Sequence, residues 1–134
     1  MDSKDRNTKK NKQFISSLEF AIQGIRTVYR EERNMRKHTF FGLVAVLAGV
    51  VFQLNLREWM WLLLVIFLVL TMEIINTAFE NVVDMVTKNH YNDIGKRIKD
   101  MAAGAVLITA CFAMIMGAMI FLPKIYQIIM DWLA

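Results

Sequence analysis

The chain has 134 residues, of which 56% are hydrophobic and 21% are charged, and its formal net charge is +4. It contains only six Gly and one Pro, which leaves few tight turns and disfavours an all-β barrel. The apolar residues form long blocks separated by short charged segments, a distribution typical of a membrane protein. The basic residues flank these blocks, where they set the orientation of a membrane protein, so the positive charge does not indicate nucleic-acid binding.

The N-terminal residues precede every long apolar block. Residues 1–10 are polar and have almost nothing to bury, so we expect them to be disordered, and we expect no secretory signal there. Over residues 11–30, apolar side chains recur at spacings of three and four, with polar side chains on the other side. This pattern predicts an amphipathic helix that lies along the membrane surface.

Three transmembrane helices are predicted, over residues 33–56, 57–87 and 92–122. Residues 39–56 carry no charge and are long enough to cross a bilayer core of about 30 Å. Residues 59–72 form a shorter apolar run, which continues without a helix breaker into a polar stretch. The chain is therefore predicted to be a single all-α membrane domain with one surface helix and three spans.

The C-terminal third contains many small residues. They recur between residues 101 and 122, so we expect the third span to pack closely inside the protein. Pro123 should end this span, and residues 124–134 should form a short interfacial tail. The N-terminal segment and residues 88–100 are rich in Lys and Arg, so both should face the cytoplasm.

The second predicted span carries polar residues on one face, namely Glu73, Asn76, Glu80 and Asp84. At about 100° per residue these positions fall within an arc of about 80°. A charge near the bilayer centre costs about 2.5–3.5 kcal/mol or more, so these groups should face protein, water, a cation or one another.

Further charged residues fall at the same predicted cytoplasmic boundary, namely Glu31, Glu32, Lys99 and Asp100. Carboxylate oxygens suit Mg²⁺ together with substrate phosphates, a lysine suits a phosphate, and Glu73 suits proton transfer from a lipid alcohol. These are the components of phosphoryl transfer, and no glycine-rich Walker loop is present.

Other interpretations stay open at this point. Individual acids, Asp84 above all, can be structural partners of Lys or Arg from a neighbouring helix. An intramembrane Glu is also found in proton-coupled transporters, but Glu73 lies only about 9 Å inside the predicted boundary, which argues against transport. A membrane scaffold without catalysis would leave the polar face unexplained.

Residues 73–84, with the sequence EIINTAFENVVD, and the KDM at 99–101 resemble the prokaryotic diacylglycerol kinase family. The resemblance covers nearly the whole chain. It implies a bacterial membrane homotrimer whose subunits each have a surface helix and three transmembrane helices. It also implies active sites at the cytoplasmic membrane boundary, shared between subunits, and a reaction that phosphorylates a lipid alcohol with ATP.

Carried over by position, the resemblance implies a role for each matching residue. Glu73 would be the general base on the lipid hydroxyl, and Glu32 and Glu80 would hold Mg²⁺ with ATP. Arg26 and Arg36 would lie near the substrate. Three positions would orient ATP or the reacting groups, namely Asn76, Lys99 and Asp100.

The substrate is less determined than the chemistry. The polar connection near residues 89–91 is one residue longer than in the enterobacterial pattern, and the tail after Pro123 has no clear counterpart. The Val-Val-Asp version of the motif is similar to the Gram-positive branch, which implies undecaprenol as substrate and undecaprenyl phosphate as product. Diacylglycerol, with phosphatidic acid as product, is the alternative.

Overall fold

A computed structural model describes residues 3–133, with side chains from residue 14 onward. This part of the chain folds into four α-helices: α1 Ser3–Glu31, α2 Arg33–Val51, α3 Leu56–Thr87 and α4 Asp93–Leu133. The helices fall into two compact units, which divide between Arg33 and Asn34. The all-α fold class predicted from the sequence is therefore confirmed for the described residues.

Helix α1 makes up the first unit almost alone. It begins at Ser3, so it includes residues 3–10, which the sequence predicted to be disordered. Ser3 to Gln23 contain no Gly or Pro, and nothing in that stretch interrupts a helix once it has begun. The two residues before Ser3 lie outside the described part of the chain. Large apolar side chains are exposed along this helix, namely Phe14, Leu18, Ile22, Ile25 and Tyr29.

Helix α2 is shorter than the span predicted over residues 33–56, because it ends at Val51. Gln53 takes a positive φ of 50°, and the Leu54 amide donates to the Gly49 carbonyl oxygen at 3.0 Å. The chain therefore turns back after Val51. Gly49 permits this turn to pack closely, since a Cβ at that position would lie 2.8 Å from the ring tip of Trp59.

Helix α3 has well-defined ends. At its start, the Asn55 side chain accepts from the Glu58 amide at 3.1 Å, and the Glu58 carboxylate accepts from the Asn55 amide at 2.7 Å. This capping box satisfies two amides that the first helical turn leaves unpaired. At its end, Lys88 adopts the left-handed conformation and donates its amide to the Asp84 carbonyl oxygen. The 32 residues between these caps form one uninterrupted helix.

Helices α3 and α4 form an antiparallel hairpin. Lys99 pairs with Asp84 near the connection, and Lys124 pairs with Glu58 at the opposite end. The connection closes tightly because the Asn92 side chain accepts from the Gly95 amide at 2.9 Å. In the described part of the chain, α3 and α4 are the helices that are long and apolar enough to cross a membrane.

Helix α4 differs from its prediction at the C-terminal end. It continues through Pro123 to Leu133, where the sequence predicted a stop at residue 122 and a separate tail. Proline removes one helical hydrogen bond and bends a helix, but the turns on either side preserve the remaining bonds. The ion pair from Lys124 to Glu58, 3.1 Å long, also holds the turn directly after Pro123 against α3. Within the single chain, α4 is largely exposed.

The apolar core of the second unit lies at the end of the hairpin away from the α3–α4 connection. Leu54, Leu62 and Ile120 form its buried centre. Phe52 and Phe121 pack against them with their rings edge to face, 5.7 Å apart. This cluster joins the α2–α3 turn to both long helices, and it leaves the other end of the hairpin to the polar residues.

Candidate functional site

The polar face of α3 runs from a buried to an exposed environment. Glu73 is 1% exposed and Asn76 is 8% exposed, whereas Glu80 is half-buried and the Asp84 side chain is 41% exposed. The most expensive group to bury therefore lies deepest in the helix. A carboxyl group held there costs stability, because burial removes its hydration. Its presence in an apolar helix therefore indicates a function.

Asn76 and Glu80 form a hydrogen-bonded pair one helical turn apart. The Asn76 amide nitrogen donates to a Glu80 carboxylate oxygen at 3.0 Å, which confirms that these residues share a face of α3. The other polar atom of Asn76, its carbonyl oxygen, is buried and accepts no hydrogen bond from the described residues. Asn76 thus orients Glu80 and presents an acceptor at the same point of the site.

Thr77 supports the backbone at Glu73. It is 2% exposed, and its hydroxyl donates to the Glu73 main-chain carbonyl oxygen at 2.9 Å. The sequence gives no role to Thr77 beyond its place in the family motif. This contact could have been predicted from the spacing of four residues between Glu73 and Thr77, because a threonine in an apolar helix donates its hydroxyl to the carbonyl oxygen one turn earlier.

Two ion pairs involve the predicted nucleotide residues of α4. Lys99 donates to Asp84 at 2.6 Å, and the two side chains are 35% and 41% exposed. Asp100 accepts from Lys96 at 2.6 Å, and both of these side chains are more than half exposed. The structure thus brings Lys99 to the polar face of α3. The sequence left open that Asp84 is a structural partner of a Lys or Arg on a neighbouring helix, and in the structure Lys99 of α4 is that partner.

The other predicted residues lie nearer the N-terminus. Arg26 is exposed on α1, and Glu32 is half-buried directly after this helix, with its amide donating to the Val28 carbonyl oxygen at 2.8 Å. Both belong to the first compact unit. Arg36 is exposed in the first turns of α2, in the second unit.

The donor set of the second unit fits a magnesium ion that ATP helps to bind. Within the described residues, no group of three or more His, Cys, Asp and Glu side chains could hold a metal by itself. Mg²⁺ in phosphoryl-transfer sites takes one or two carboxylates, and substrate phosphates and water supply the rest. The Glu80 carboxylate, half-buried and oriented by Asn76, is a hard oxygen donor of this kind.

The fold and this face together define an all-α membrane protein with carboxylates along one face of a helix that is long and apolar enough to cross a membrane. The family model for prokaryotic diacylglycerol kinase matches residues 19–121. The chain belongs to this family, and the predicted enzyme class, a lipid kinase, is confirmed.

The relatives of this chain include an undecaprenol kinase and several diacylglycerol kinases. An undecaprenol kinase of Bacillus subtilis is 38% identical over 93% of this chain and 100% of its own length. A diacylglycerol kinase of Synechocystis is 35% identical over 85% of this chain and 65% of its own length. The diacylglycerol kinase of Escherichia coli K12 is 29% identical over 81% of this chain and 88% of its own length.

Proposed function

We propose that this chain is an ATP-dependent undecaprenol kinase, which transfers the γ-phosphoryl group of ATP to the lipid hydroxyl and forms undecaprenyl phosphate. The similarity to the Bacillus subtilis undecaprenol kinase, which the chain covers over its full length, supports this substrate. The single observation that carries the proposed chemistry is the buried Glu73 carboxyl on an apolar helix, with Asn76 and Glu80 one and two turns away.

In the proposed reaction, Glu73 is the general base. It accepts the hydroxyl proton as the alcohol oxygen attacks the γ-phosphorus, and the bond from that phosphorus to the bridging oxygen breaks to release ADP. The buried position suits this role because it keeps bulk water away from the reacting carboxylate. A base inside the membrane boundary also reaches an alcohol that stays in the lipid.

Glu80 and Glu32 are the proposed carboxylate ligands of Mg²⁺, which neutralises phosphate charge when it is bound with ATP. Asn76 holds the Glu80 carboxylate in one orientation through its 3.0 Å hydrogen bond. Lys99 and Asp100 are proposed to orient ATP. Arg26 and Arg36 are proposed to contact the substrate.

The proposed topology places α1 along the membrane surface and α2, α3 and α4 across the bacterial cytoplasmic membrane. The exposed apolar side chains of α1 support its surface position. The 19 residues of α2 extend about 28 Å, close to the bilayer core, although its first turn is charged. The basic residues before α2 and between α3 and α4 support a cytoplasmic N-terminus and active site.

A homotrimer is the proposed assembly. The exposure of α4 in the single chain supports an assembly that covers this helix, since small residues on it permit close approach of another helix. A site shared between subunits is part of the same proposal.

The test is a competition assay with the purified protein in lipid-doped micelles, with Mg²⁺ and labelled ATP. Undecaprenol and diacylglycerol are offered at equal mole fraction, and the labelled products are separated. We expect the label predominantly in undecaprenyl phosphate, and we expect chelation of Mg²⁺ to stop the reaction.

Each other result changes the assignment in a defined way. Predominant label in phosphatidic acid would keep the kinase chemistry and reject the proposed substrate. Label in neither product, with ATP and Mg²⁺ present, would reject the proposed reaction and leave proton-coupled transport as the next explanation of the buried carboxyl.

A further inference from the structure

The two histidines of this chain lie in different surroundings. His90 is exposed in the connection between α3 and α4, whereas His38 is half-buried in the second turn of α2. His38 lines a groove between α2, α3 and α4, and every other residue that lines this groove is apolar. An imidazole costs more to bury on such a wall than an apolar side chain does, so His38 needs an explanation other than packing.

Two close contacts give the alignment of α2 with α3. A Cβ at Gly49 would lie 2.8 Å from the Trp59 ring, and a Cβ at Gly42 would lie 3.1 Å from the Ile66 side chain. The same number of residues separates the two contacts on each helix, so the antiparallel helices stay in step between them. His38 precedes Gly42 by about one helical turn, so it lies on the same face of α2.

This alignment places His38 close to the level of Glu73. Carried four residues beyond Gly42, it sets His38 level with Leu70 of α3, and Val69 lines the groove together with His38. Glu73 lies about 4.5 Å further along α3 than Leu70. Helical side chains lean toward the N-terminus of their own helix, so on antiparallel helices His38 and Glu73 lean toward one another.

The other charged groups of the second unit are poor acceptors for a proton from Glu73. Glu80 lies two turns away, about 10 Å, and is a proposed ligand of Mg²⁺. Arg36 and Lys37 are exposed on α2 and are cations at neutral pH. On α4, the two ion pairs of the hairpin place residues 106–113 at this level, and that stretch contains no Asp, Glu, Lys, Arg or His.

The proposed reaction leaves a proton on the Glu73 carboxyl, and this proton has to leave before the next turnover. Glu73 is 1% exposed, so bulk water has no direct access to it. A neutral imidazole accepts and releases protons near pH 7, because its ordinary pKa is about 6.5. His38 is less deeply buried than Glu73, so it lies between the carboxyl and the protein surface in exposure.

We propose that His38 is the proton acceptor that regenerates the Glu73 carboxylate after each phosphoryl transfer. The inference rests on the proposed function, in which Glu73 is the general base. The O–H bond of the protonated carboxyl breaks and an N–H bond forms on the imidazole, which leaves a carboxylate and an imidazolium. The imidazolium then loses its proton to water, and both residues return to their starting states.

His38→Gln tests the proposal, and His90→Gln is the matched control, because it makes the same change at the exposed histidine. The purified protein, in micelles doped with the lipid alcohol, is mixed with labelled ATP and Mg²⁺. Rapid quenching then follows the labelled lipid from the first turnover into the steady state. Regeneration of Glu73 comes after the first phosphoryl transfer, so its loss slows only the later turnovers.

The expected time course of His38→Gln has two phases. A burst of about one labelled lipid per active site should form at a rate near that of the first wild-type turnover. The steady state that follows should be about tenfold slower than in wild type, or slower still. His90→Gln should follow the wild-type time course, and Glu73→Gln should show neither phase.

A merely structural role of His38 predicts a different time course. Partial unfolding lowers the burst amplitude and the steady-state rate in the same proportion, so their ratio does not depend on the folded fraction. Free imidazole supplies a second readout in His38→Ala, whose shorter side chain leaves room for it. We expect added imidazole to raise the steady-state rate of this variant with increasing concentration and to leave wild type unchanged.

Three results would overturn the role of His38 while the kinase assignment stands. They are an unchanged steady-state rate in His38→Gln, a first turnover slowed as much as the steady state, and a His38→Ala rate that does not respond to imidazole. A wild type that phosphorylates neither undecaprenol nor diacylglycerol would instead reject the proposed function itself.

Discussion

Replacement of Glu73 by glutamine separates the chemistry of the site from its architecture. Glutamine keeps the size of the side chain and a hydrogen-bonding oxygen but cannot accept a proton from an alcohol at neutral pH. Removal of a general base costs about 10²–10⁴-fold in rate, so kcat should fall by that factor. The affinity for ATP should change little, because the proposed nucleotide ligands, Glu80 and Lys99, are untouched.

Glu73→Gln should keep or raise the stability of the protein although it lowers the activity. Glu73 is 1% exposed, and a neutral amide costs less to bury than a carboxylate does. The free energy of unfolding in Glu73→Gln should therefore be equal to or above that of wild type. Kinase turnover, ATP binding and unfolding in a graded denaturing detergent are measured on the same preparation.

Glu58→Gln is the matched control, because it makes the same change on the same helix about 22 Å away. Glutamine at this position can still complete the capping box with Asn55, and only the ion pair to Lys124 is lost. Turnover should match wild type. If Glu73→Gln retained more than a tenth of wild-type kcat while Glu58→Gln was also active, the general-base assignment would be refuted.

Four further outcomes are expected. Glu80→Ala should weaken Mg·ATP binding strongly, because it removes a proposed Mg²⁺ ligand. Asn76→Leu should raise the Mg²⁺ concentration at half-maximal rate about 10- to 100-fold, because the variant lacks the hydrogen bond that orients Glu80. Lys99→Met and Asp84→Asn should change stability by similar small amounts, about 0.2–1 kcal/mol for this part-exposed pair, but only the lysine change should raise KM for ATP. Gly49→Ala should lower the free energy of unfolding by about 1–3 kcal/mol, because its Cβ would lie 2.8 Å from an aromatic ring.

Controls make these outcomes specific. Gly104→Ala, at an open position of α4, should gain up to about 1 kcal/mol from helix propensity, so equal effects at both glycines would contradict the close-packing explanation. A Mg²⁺ titration of Asn76→Leu that coincides with wild type would exclude Asn76 as the residue that orients Glu80. Equal KM values for ATP in the Lys99 and Asp84 variants would assign Lys99 a structural role.

Much of this protein followed from one-dimensional patterns. Long uncharged blocks determine membrane-crossing helices because the bilayer interior admits backbone only when its polar groups are satisfied within the segment. The period of 3.6 residues places Asn76 and Glu80 on one face, and the 3.0 Å hydrogen bond between them follows from that spacing. The motif over residues 73–84 identified the family, which the match over residues 19–121 confirms.

The ends of the helices were decided by contacts that periodicity does not contain. The stop of α2 at Val51 depends on a left-handed Gln53 and on Gly49 packed against Trp59, which come from different parts of the chain. The passage of α4 through Pro123 accompanies the ion pair from Lys124 to Glu58, 66 positions earlier in the sequence. Helix propensity depends only on local residues, so it does not include contacts with residues far away in the sequence.

The site shows the same division between sequence and tertiary structure. The sequence by itself determined which residues share the polar face of α3, because a helix fixes their angular positions. Only the tertiary structure decided that Glu73 is buried and that Asp84 takes Lys99 as its partner. Burial and partner choice depend on how α4 folds back along α3, and that alignment is set by contacts between residues far apart in the chain.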